Sequence, residues 1–404
     1  MPEETHSILS PSGANGWMSC YAQPFMCKDK EQETSTFAAE GTLAHKLAER
    51  CLCSDEDVLE YTSVQLEEDG PELEIPEDMY EPVQKYIDTV RAMTEQAGLI
   101  SYECKLDTSK VVGVANHGGT ADVCAIIPLE EGAELQVHDL KYGKGIRVSA
   151  VENKQLMIYA LAALEEYKIL YSGLNNVRLV IHQPRLGVVS EWECSITDLE
   201  AFGEEVKKAA KECMAIYNSE REATDADYAP SESACRWCLA KADCKALAKH
   251  IEDGVKGDFD KIEDVPDKLV EMENEELAKR LPMIDLLKMY TKALEATALA
   301  RAMRGEKIPG FKVVEGRKGN RAWESEAAAE KLLKSMRLKK AVMYREALQT
   351  PTAIVKVLKN QPRRLKRVEE VIVRRDAVKH VVPVGDDRPE VEIASVREDF
   401  KKEE

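Results

Sequence analysis

Three cysteines in the second half of the chain have the spacing of metal ligands. Cys235, Cys238 and Cys244 follow the pattern C-x2-C-x5-C, in which two thiolates three positions apart can bind one ion or one edge of a cluster. A tetrahedral thiolate site usually has a fourth ligand, and Cys20 is the candidate. Spacing alone favours a metal site and leaves zinc and an iron-sulfur cluster equally open. The alternative is a reduced, unligated trio on a helix.

Two carboxylates and a lysine form a second set. Asp122 lies among apolar residues of a predicted strand, and Asp139 and Lys141 lie two positions apart, hence on one face of the next strand. Carboxylates that hold a hard divalent cation, with an ammonium group beside them, are what hydrolysis of a phosphodiester requires. The alternative for Asp139 and Lys141 is an exposed strand pair, because D-x-K alone is a weak pattern.

Three further polar side chains are candidates for the same site. His45 lies near a predicted helix start, and Gln155 and Tyr159 are one helical turn apart on the helix after Lys141. Taken singly, each is more often structural. A lone histidine is usually a surface or satisfied core residue, and a helical tyrosine usually packs in a core.

Glu103, His117 and His138 flank the same region. Glu103 lies in the strand before Asp122 and is interpreted either as part of an active-site or DNA-contact surface or as an ordinary solvent-facing residue. His138 alternates to the face opposite Asp139, so we leave it out of the chemistry. His117 lies in a predicted loop and is at most a phosphate neighbour.

These motifs stand in the order of one nuclease family. The chain resembles the RecB-like nucleases of the PD-(D/E)-x-K superfamily, and within them the iron-sulfur branch found in CRISPR adaptation, helicase-nuclease repair complexes and phage recombination modules. The resemblance covers roughly residues 8–248. It rests on five elements, which are the cysteines at 20, 235, 238 and 244, the G-T-x-x-H element ending at His45, Asp122, the D-L-K strand at 139–141, and Q-x-x-x-Y at 155–159.

The resemblance implies a ligand set and a reaction. His45, Asp122, Asp139 and the Leu140 carbonyl would surround Mg²⁺ or Mn²⁺, and Lys141 would orient the attacking water. The implied activity is that of a metal-dependent deoxyribonuclease, an exonuclease or DNA-end-processing enzyme in phage or mobile-element recombination or repair. A single-strand annealing or other recombination protein is a candidate partner. The alternative is a non-catalytic DNA-binding scaffold that kept the nuclease fold.

The resemblance also assigns roles outside the metal ligands. Gln155 and Tyr159 would contact DNA and support the active site. The four cysteines would hold a [4Fe-4S] cluster that fastens the first helix to the last segment of the nuclease core. This shifts the balance from zinc, which stays the less favoured cofactor, to iron-sulfur.

The charge distribution is uneven. The formal net charge is −18, which argues against tight, non-specific coating of nucleic acid. Residues 1–300 carry about −27, residues 301–380 about +13 and the last 24 about −4, so attraction to a phosphate backbone should concentrate near the C-terminus. The basic segments 331–340 and 363–367 are interpreted as solvated helix faces or as DNA-guiding or partner-docking elements.

The cellular compartment is predicted from the cysteine content and from the lack of a recognisable targeting signal. No segment approaches the roughly 20 apolar residues that span a bilayer, and the first residues lack a basic region followed by an apolar run. We expect a cytoplasmic protein of a bacterial host, without membrane partners. In that compartment the clustered cysteines are expected to bind metal rather than form disulfides. The remaining cysteines are interpreted as small buried or incidental residues: Cys27, Cys51, Cys53, Cys104, Cys124, Cys194 and Cys213.

The elements that position these residues follow from hydrophobic periodicity. Helices are predicted at 9–19, with Ser10 or Ser12 as N-cap, and at 37–51, 79–97, 151–171, 197–217 and 266–304. Strands are predicted at 99–106, 111–115, 119–127, 134–141, 177–183 and 188–195. This order predicts an α/β fold, a central mixed sheet flanked by helices in a restriction-endonuclease-like core.

Three regions are predicted along the chain. Residues 1–252 form the nuclease core closed by the four cysteines. Residues 253–383 form a mainly helical accessory region that carries the basic segment, with a hairpin around 311–314 and 322–323 and short helices within 325–358. Residues 384–404 form a polar tail without stable structure.

Overall fold

The structure is a computed structural model, and it describes residues 7–30, 36–66, 70–168, 171, 173–255, 273–316, 321–344, 348–359, 361–374, 379–383 and 391. The chain divides into two compact units, Met1–Tyr290 and Thr291–Glu404. The predicted boundary after residue 252 precedes this division, and residues 256–272, which follow it, lie outside the described residues. The predicted tail at 384–404 also lies outside them, apart from Val391.

The first unit contains both helices and strands. Its helices are α1 (Ala14–Trp17), α2 (Gln23–Cys27), α3 (Thr36–Ser54), α4 (Glu77–Met93), α5 (Ser109–Val112), α6 (Lys154–Tyr167), α7 (Ile196–Tyr217), α8 (Glu232–Cys235), α9 (Lys245–Val255) and most of α10 (Asn274–Met303). Its strands are β1 (Ser63–Gln65), β2 (Glu72–Glu74), β3 (Leu99–Asp107), β4 (Gly118–Pro128), β5 (Ala133–Leu140), β6 (Leu174–Gln183) and β7 (Val188–Ser195).

A five-stranded mixed sheet is the centre of the first unit. The strand order is β3-β4-β5-β6-β7, and every pair is antiparallel except β5–β6, which is parallel. Helix α6 makes the crossover between those two strands, because parallel neighbours cannot be joined by a tight turn. Strand β5 is buried along its whole length. The predicted α/β fold with a central mixed sheet flanked by helices is confirmed.

The two faces of the sheet pack against different helices. One face meets α6 and α7 in a core that includes Leu135, Leu156 and Leu199. The other face meets α3 and α4 in a core that includes Leu47 and Val123. Because side chains alternate along a strand, Asp139 of β5 extends the face that packs against α6, whereas Asp122 of β4 contacts His45 of α3. The functional carboxylates therefore lie where apolar packing gives way to polar residues.

Local sequence signals explain the helices that flank the site. Asn153 caps α6, since its side chain accepts the Leu156 N–H, and Ser195 caps α7 in the same way through Asp198. Ser10 accepts the Gly13 N–H at the start of the first short helical turn, as predicted. These caps satisfy backbone donors that the first helical turn leaves unpaired.

The predicted strand at 111–115 is wrong. Residues 109–112 form helix α5, and Gly113, with φ of +71°, ends it in the left-handed conformation. Val111 and Val112 are buried against the α6 side of the core. The valines that favour a strand locally are therefore used for helix packing, a tertiary effect that outweighs propensity.

The second unit has helices and short strands around a core of its own. It contains α11 (Glu326–Ser335), α12 (Lys340–Met343), α13 (Pro351–Val357), α14 (Pro362–Glu369), β8 (Phe311–Glu315), β9 (Arg321–Trp323), β10 (Ile372–Arg374) and β11 (Lys379–Pro383). Its core is formed by Leu333, Met336, Met343, Ile354, Leu358 and Val368. The predicted short helices are present, and the four strands make this unit less purely helical than predicted.

The predicted hairpin around 311–314 and 322–323 is wrong in its pairing. β8 pairs with β11 and β9 pairs with β10, both antiparallel. The strands β8 and β9 are neighbours in sequence but pair with strands that are distant in sequence. A local turn signal does not predict such pairing. Among the described residues, no helix combines the length and apolar character needed to cross a membrane.

Candidate functional site

Asp122 connects the helix and strands of the site. One of its carboxylate oxygens lies 3.1 Å from Nδ1 of His45, which α3 supplies. The other oxygen accepts the backbone N–H of Leu140. The β4–β5 pairing ends at Val123 and His138, so the Asp122 side chain takes over a donor that the strand ladder would otherwise have used. This contact fixes Asp122 against the end of β5.

Glu103 lies across from Asp122 on the neighbouring strand. The β3–β4 register pairs Tyr102 with Val123 and Cys104 with Ala121, which sets Glu103 opposite Asp122. Glu103 has φ of +46°, in the left-handed region, a conformation that is costly for a residue with a side chain. Burial, followed by the charge of Asp122, raises the pKa of Glu103 to about 7.

His45, Glu103 and Asp122 form a compact set of metal-ligating groups. One ligand atom from each lies within 4.8 Å of the other two, and no other such group of three occurs among the described residues. Carboxylate oxygens with one imidazole suit a divalent ion such as Mn²⁺ or Mg²⁺. Two elements of the predicted ligand set are thus brought together, with Glu103, which the sequence left between two interpretations, as the third.

His45 responds to the negative charge around it. Burial by itself lowers the pKa of an imidazole, but the charge and hydrogen bond of Asp122, with the charges of Asp139 and Glu103, outweigh it and raise the pKa of His45 to about 9. In the absence of an ion, His45 is therefore protonated near neutral pH and offsets the surrounding carboxylates. A bound cation would take over that role and leave His45 neutral as a ligand.

Asp139 and Lys141 lie beside this set at the end of β5. Lys141 Nζ is 2.8 Å from Asp139 Oδ2 and donates to Gln155 Oε1 at 3.0 Å. Gln155 Nε2 in turn donates to Asp139 Oδ1 at 3.1 Å. Burial raises the pKa of Asp139, and the charge of Lys141 opposes that rise. The predicted D-x-K pair and the helix α6 amide therefore form one closed hydrogen-bonded triangle.

The predicted role of Asp139 as a metal ligand stays a prediction. Asp139 is not a member of the compact set around Asp122, and its described partners are Lys141 and Gln155. The Leu140 backbone contacts the site through its N–H, which donates to Asp122. The structure describes no contact of the Leu140 carbonyl with the site residues. Its predicted role as a carbonyl ligand stays a prediction.

Tyr159 packs behind the site. A Cβ atom added to Gly119 would lie 2.8 Å from the Tyr159 ring, so a glycine at this point of β4 lets the ring approach the strand that carries Asp122. Burial raises the pKa of Tyr159, and a hydrogen bond with Gln155 opposes the rise. Tyr159 thus supports Gln155 and β4.

The two flanking histidines lie outside the site. His138 Nδ1 is 2.9 Å from His182 Nε2, on the face opposite Asp139, as strand alternation predicts. His117 is buried, and its Nδ1 lies 2.9 Å from the Ala115 carbonyl oxygen.

The four predicted cysteine ligands line one cavity. Cys20, Cys235, Cys238 and Cys244 surround a small space of about 20 Å³. Cys20 belongs to the N-terminal segment, and the other three cysteines belong to the segment that contains α8. The two segments are in contact, since Gln23 Nε2 donates to the Ala234 carbonyl oxygen at 3.0 Å. Burial raises the pKa of Cys20 and of Cys235.

Cys27, which its spacing in the sequence placed among the incidental cysteines, is a fifth thiol beside this cavity. Its Sγ lies 3.8 Å from that of Cys238. This contact, assisted by the backbone N–H groups of Leu239 and Ala240, lowers the pKa of Cys27 to about 6. The available signal was its position seven residues after Cys20 in a short helical segment.

One family model matches this chain. It is described as "Protein of unknown function (DUF2800)" and matches residues 6–389. The match covers most of both units and every candidate site residue.

Proposed function

We propose that this chain, which belongs to the DUF2800 family, is a metal-dependent deoxyribonuclease. The observation that carries the proposal is the convergence of His45, Glu103 and Asp122 beside buried Asp139 and its half-buried partner Lys141. An acidic, partly desolvated set with one fixed ammonium group is expensive to bury. Phosphodiester hydrolysis is a reaction that uses it.

Each residue of the site has a part in the proposed reaction. His45, Glu103 and Asp122 would hold Mg²⁺ or Mn²⁺, with Asp139 close by. The ion, when bound, neutralises charge on the scissile phosphate and acidifies a water molecule. Lys141 carries a positive charge that Asp139 and Gln155 hold in place, so that it can orient the attacking water. Because the Lys141 side chain is fixed by two partners, little reorganisation is needed when DNA binds.

The cysteine cavity is proposed to hold a structural [4Fe-4S] cluster, with zinc as the less favoured alternative. Thiol donors suit either cofactor. Zinc–sulfur bonds of about 2.3 Å would draw four sulfur atoms close together. Among the described residues, the cysteines contain no group of three whose sulfur atoms all lie within 4.8 Å. The preference for the iron-sulfur cluster over zinc rests on the family resemblance.

The biological setting is proposed from the family resemblance. The substrate would be a single-stranded or double-stranded DNA end, processed during phage or mobile-element recombination in the cytoplasm of a bacterial host. A single-strand annealing protein is the proposed partner. A scaffold that only binds DNA would need neither the Asp139–Lys141 pair nor the three converging ligands.

A cleavage assay tests the proposal directly. The purified protein is incubated with end-labelled single-stranded and double-stranded DNA, with Mg²⁺, Mn²⁺ or EDTA. Lys141→Ala should abolish metal-dependent cleavage, whereas Lys105→Ala, an exposed lysine of β3, should cleave like the wild type. Full activity of Lys141→Ala, or no cleavage by the wild-type protein with either metal, would reject the nuclease assignment.

A further inference from the structure

The second unit carries a concentrated basic surface. Between residues 331 and 367 the sequence has twelve Lys and Arg residues and one acidic residue, Glu346. The chain as a whole has a formal charge of −18. A local excess of positive charge on an otherwise acidic protein attracts polyanions to that part of its surface.

The core of the second unit explains why these charges share one surface. Leu333 on α11 and Val368 on α14 are fully buried in the same cluster. Each of these helices therefore presents its opposite side to solvent. The two helices are also joined directly, since Arg367 Nη2 donates to Ser335 Oγ at 3.2 Å. The basic residues of α14 are thus held beside those at the end of α11.

Helix α14 has the densest part of this surface. Arg363, Arg364, Lys366 and Arg367 are all exposed. Their described polar contacts are with neutral groups: Arg364 donates to the Gln361 side chain at 2.7 Å, and Arg367 donates to Ser335. None of the four forms an ion pair with a carboxylate in the part of the chain that the structure describes. Their charge is available to an external anion.

We propose that α14, with the end of α11, binds the phosphate backbone of DNA. The four α14 side chains would contact phosphates, and Arg337 would extend the contact. Lys334 is paired with Glu330 and is not counted in this surface. No sequence preference is expected, because phosphate contacts position a protein without reading bases. The choice of DNA among polyanions rests on the proposed nuclease function. The surface would keep the enzyme on its substrate between cleavage events, by raising the local concentration of DNA.

Binding is measured by fluorescence anisotropy in EDTA, so that cleavage does not interfere. The full-length protein is compared with the variant Arg363→Gln, Arg364→Gln, Lys366→Gln, Arg367→Gln. A matched control removes the same charge from the first unit, at exposed lysines that form ion pairs: Lys85, Lys110, Lys168 and Lys207, each changed to Gln. The probe is a labelled duplex with a single-stranded overhang.

The α14 variant should bind at least about tenfold more weakly than the wild type, whereas the control should change little. The dependence of log Kd on log salt should become shallower by about 0.7–0.9 for each phosphate group that the variant no longer binds. A third variant, in which the three arginines become lysines, should retain most of the affinity, since it keeps the charge. Thermal unfolding verifies that all variants fold. Equal Kd values for the α14 variant and the control would overturn the proposal, because only net charge would then matter.

Two further readouts separate this proposal from others. If anionic lipid vesicles, and not DNA, lose binding in the α14 variant, the surface is a membrane contact and the proposal fails. In the cleavage assay the α14 variant should show a raised KM with unchanged kcat. If the wild type cleaves nothing but the α14 variant still loses DNA affinity, the nuclease proposal fails and the DNA surface stands.

Discussion

The carboxylate site and the cysteine cavity differ in what holds them together without a cofactor. At the carboxylate site, Asp122 is bound by His45 and Leu140, and Asp139 is bound by Lys141 and Gln155. Protein groups thus already supply hydrogen bonds and positive charge. The site can therefore be preorganised before an ion arrives, as a catalytic centre requires.

At the cysteine cavity the protein supplies backbone N–H groups rather than ionised partners, for example those of Ala22 and Gln23 at Cys20. The described contacts of the sulfur atoms include Cys27 with Cys238 and the Leu247 N–H donated to Cys244. The two segments that meet there are distant in sequence, and they are joined by Gln23 with Ala234, by the Lys30–Asp243 ion pair and by the Ala22 N–H with the Asp227 carbonyl. A cofactor at this cavity would therefore contribute to folding, whereas the ion at the carboxylate site would contribute to catalysis.

The largest effect is expected from a substitution at the carboxylate site. Asp122→Asn keeps the size of the side chain but removes the charge that binds His45 and faces Glu103. Cleavage should fall by at least about 1000-fold because the proposed metal site loses a ligand. The melting temperature should change little, because the lost attraction to protonated His45 is offset by the relief of repulsion with Glu103. The control Asp88→Asn, at an exposed position of α4, should leave both activity and stability unchanged.

A smaller effect, on stability, concerns the cysteine side. Cys20→Ser should lower Tm by about 10 °C, since loss of a structural metal site costs several kcal/mol. EDTA, which removes weakly held Mg²⁺ or Mn²⁺, should abolish cleavage and shift Tm by much less. Differential scanning calorimetry, together with metal analysis and absorbance spectra, measures these effects.

The exposed Cys53 offers the matched control for that experiment. Cys53→Ser should retain both the metal content and the Tm of the wild type. If Cys20→Ser also retained both, the cysteine cavity would hold no structural cofactor, and the contrast between the two regions would disappear.

A third prediction concerns the ion pair that supports the cysteine segment. Asp227 is bound by Arg221, which also pairs with Glu212 of α7, and the Asp227 carbonyl accepts the N–H of Ala22. Arg221 holds the pKa of Asp227 well below its usual range. A lowered folded-state pKa stabilises the protein above the unfolded pKa of about 3.9, and this stabilisation disappears as the pH falls below that value.

Asp227→Asn should therefore lower Tm at pH 7, and the difference from the wild type should narrow as the pH falls below about 4. Asp225→Asn, on the exposed side of the same turn, should change neither. A loss of stability that is equal at pH 7 and pH 3 would show that Asp227 acts through something other than its charge.

Local sequence pattern was sufficient to predict the elements that carry most of the candidate site. The strands that carry Asp122 and Asp139 and the helix that carries Gln155 follow hydrophobic periodicity, and the motif order placed them together. Features that depend on tertiary packing and strand pairing were predicted less well. The strand prediction at 111–115 failed because tertiary packing used its valines in a helix. The hairpin failed because β8 and β9 each pair with a strand beyond the basic helices.

Two members of the sites depended on information that a single sequence does not carry. Glu103 joins His45 and Asp122 because the β3–β4 register sets it opposite Asp122, and register is determined by the whole sheet. Cys27 meets Cys238 only after the chain ends are brought together. Both residues have ordinary local surroundings in the sequence, so only the fold distinguishes them from incidental ones.

The smallest expected effect tests whether Glu103 belongs to the carboxylate site. Burial and the charge of Asp122 raise the pKa of Glu103 to about 7, so its ionised form disfavours folding above that pH. Glu103→Gln should stabilise the metal-free protein at pH 8 by about 1 kcal/mol, allowing for the partial exposure of the side chain. Saturating Mn²⁺ should remove or reverse this gain, because the ion binds the wild-type carboxylate and stabilises only that folded state. Urea unfolding with and without Mn²⁺ measures the difference, with Glu95→Gln, beyond the end of α4, as the control. A Mn²⁺-dependent stabilisation of equal size in the wild type and Glu103→Gln would remove Glu103 from the ligand set and leave His45 and Asp122 to bind the ion with Asp139.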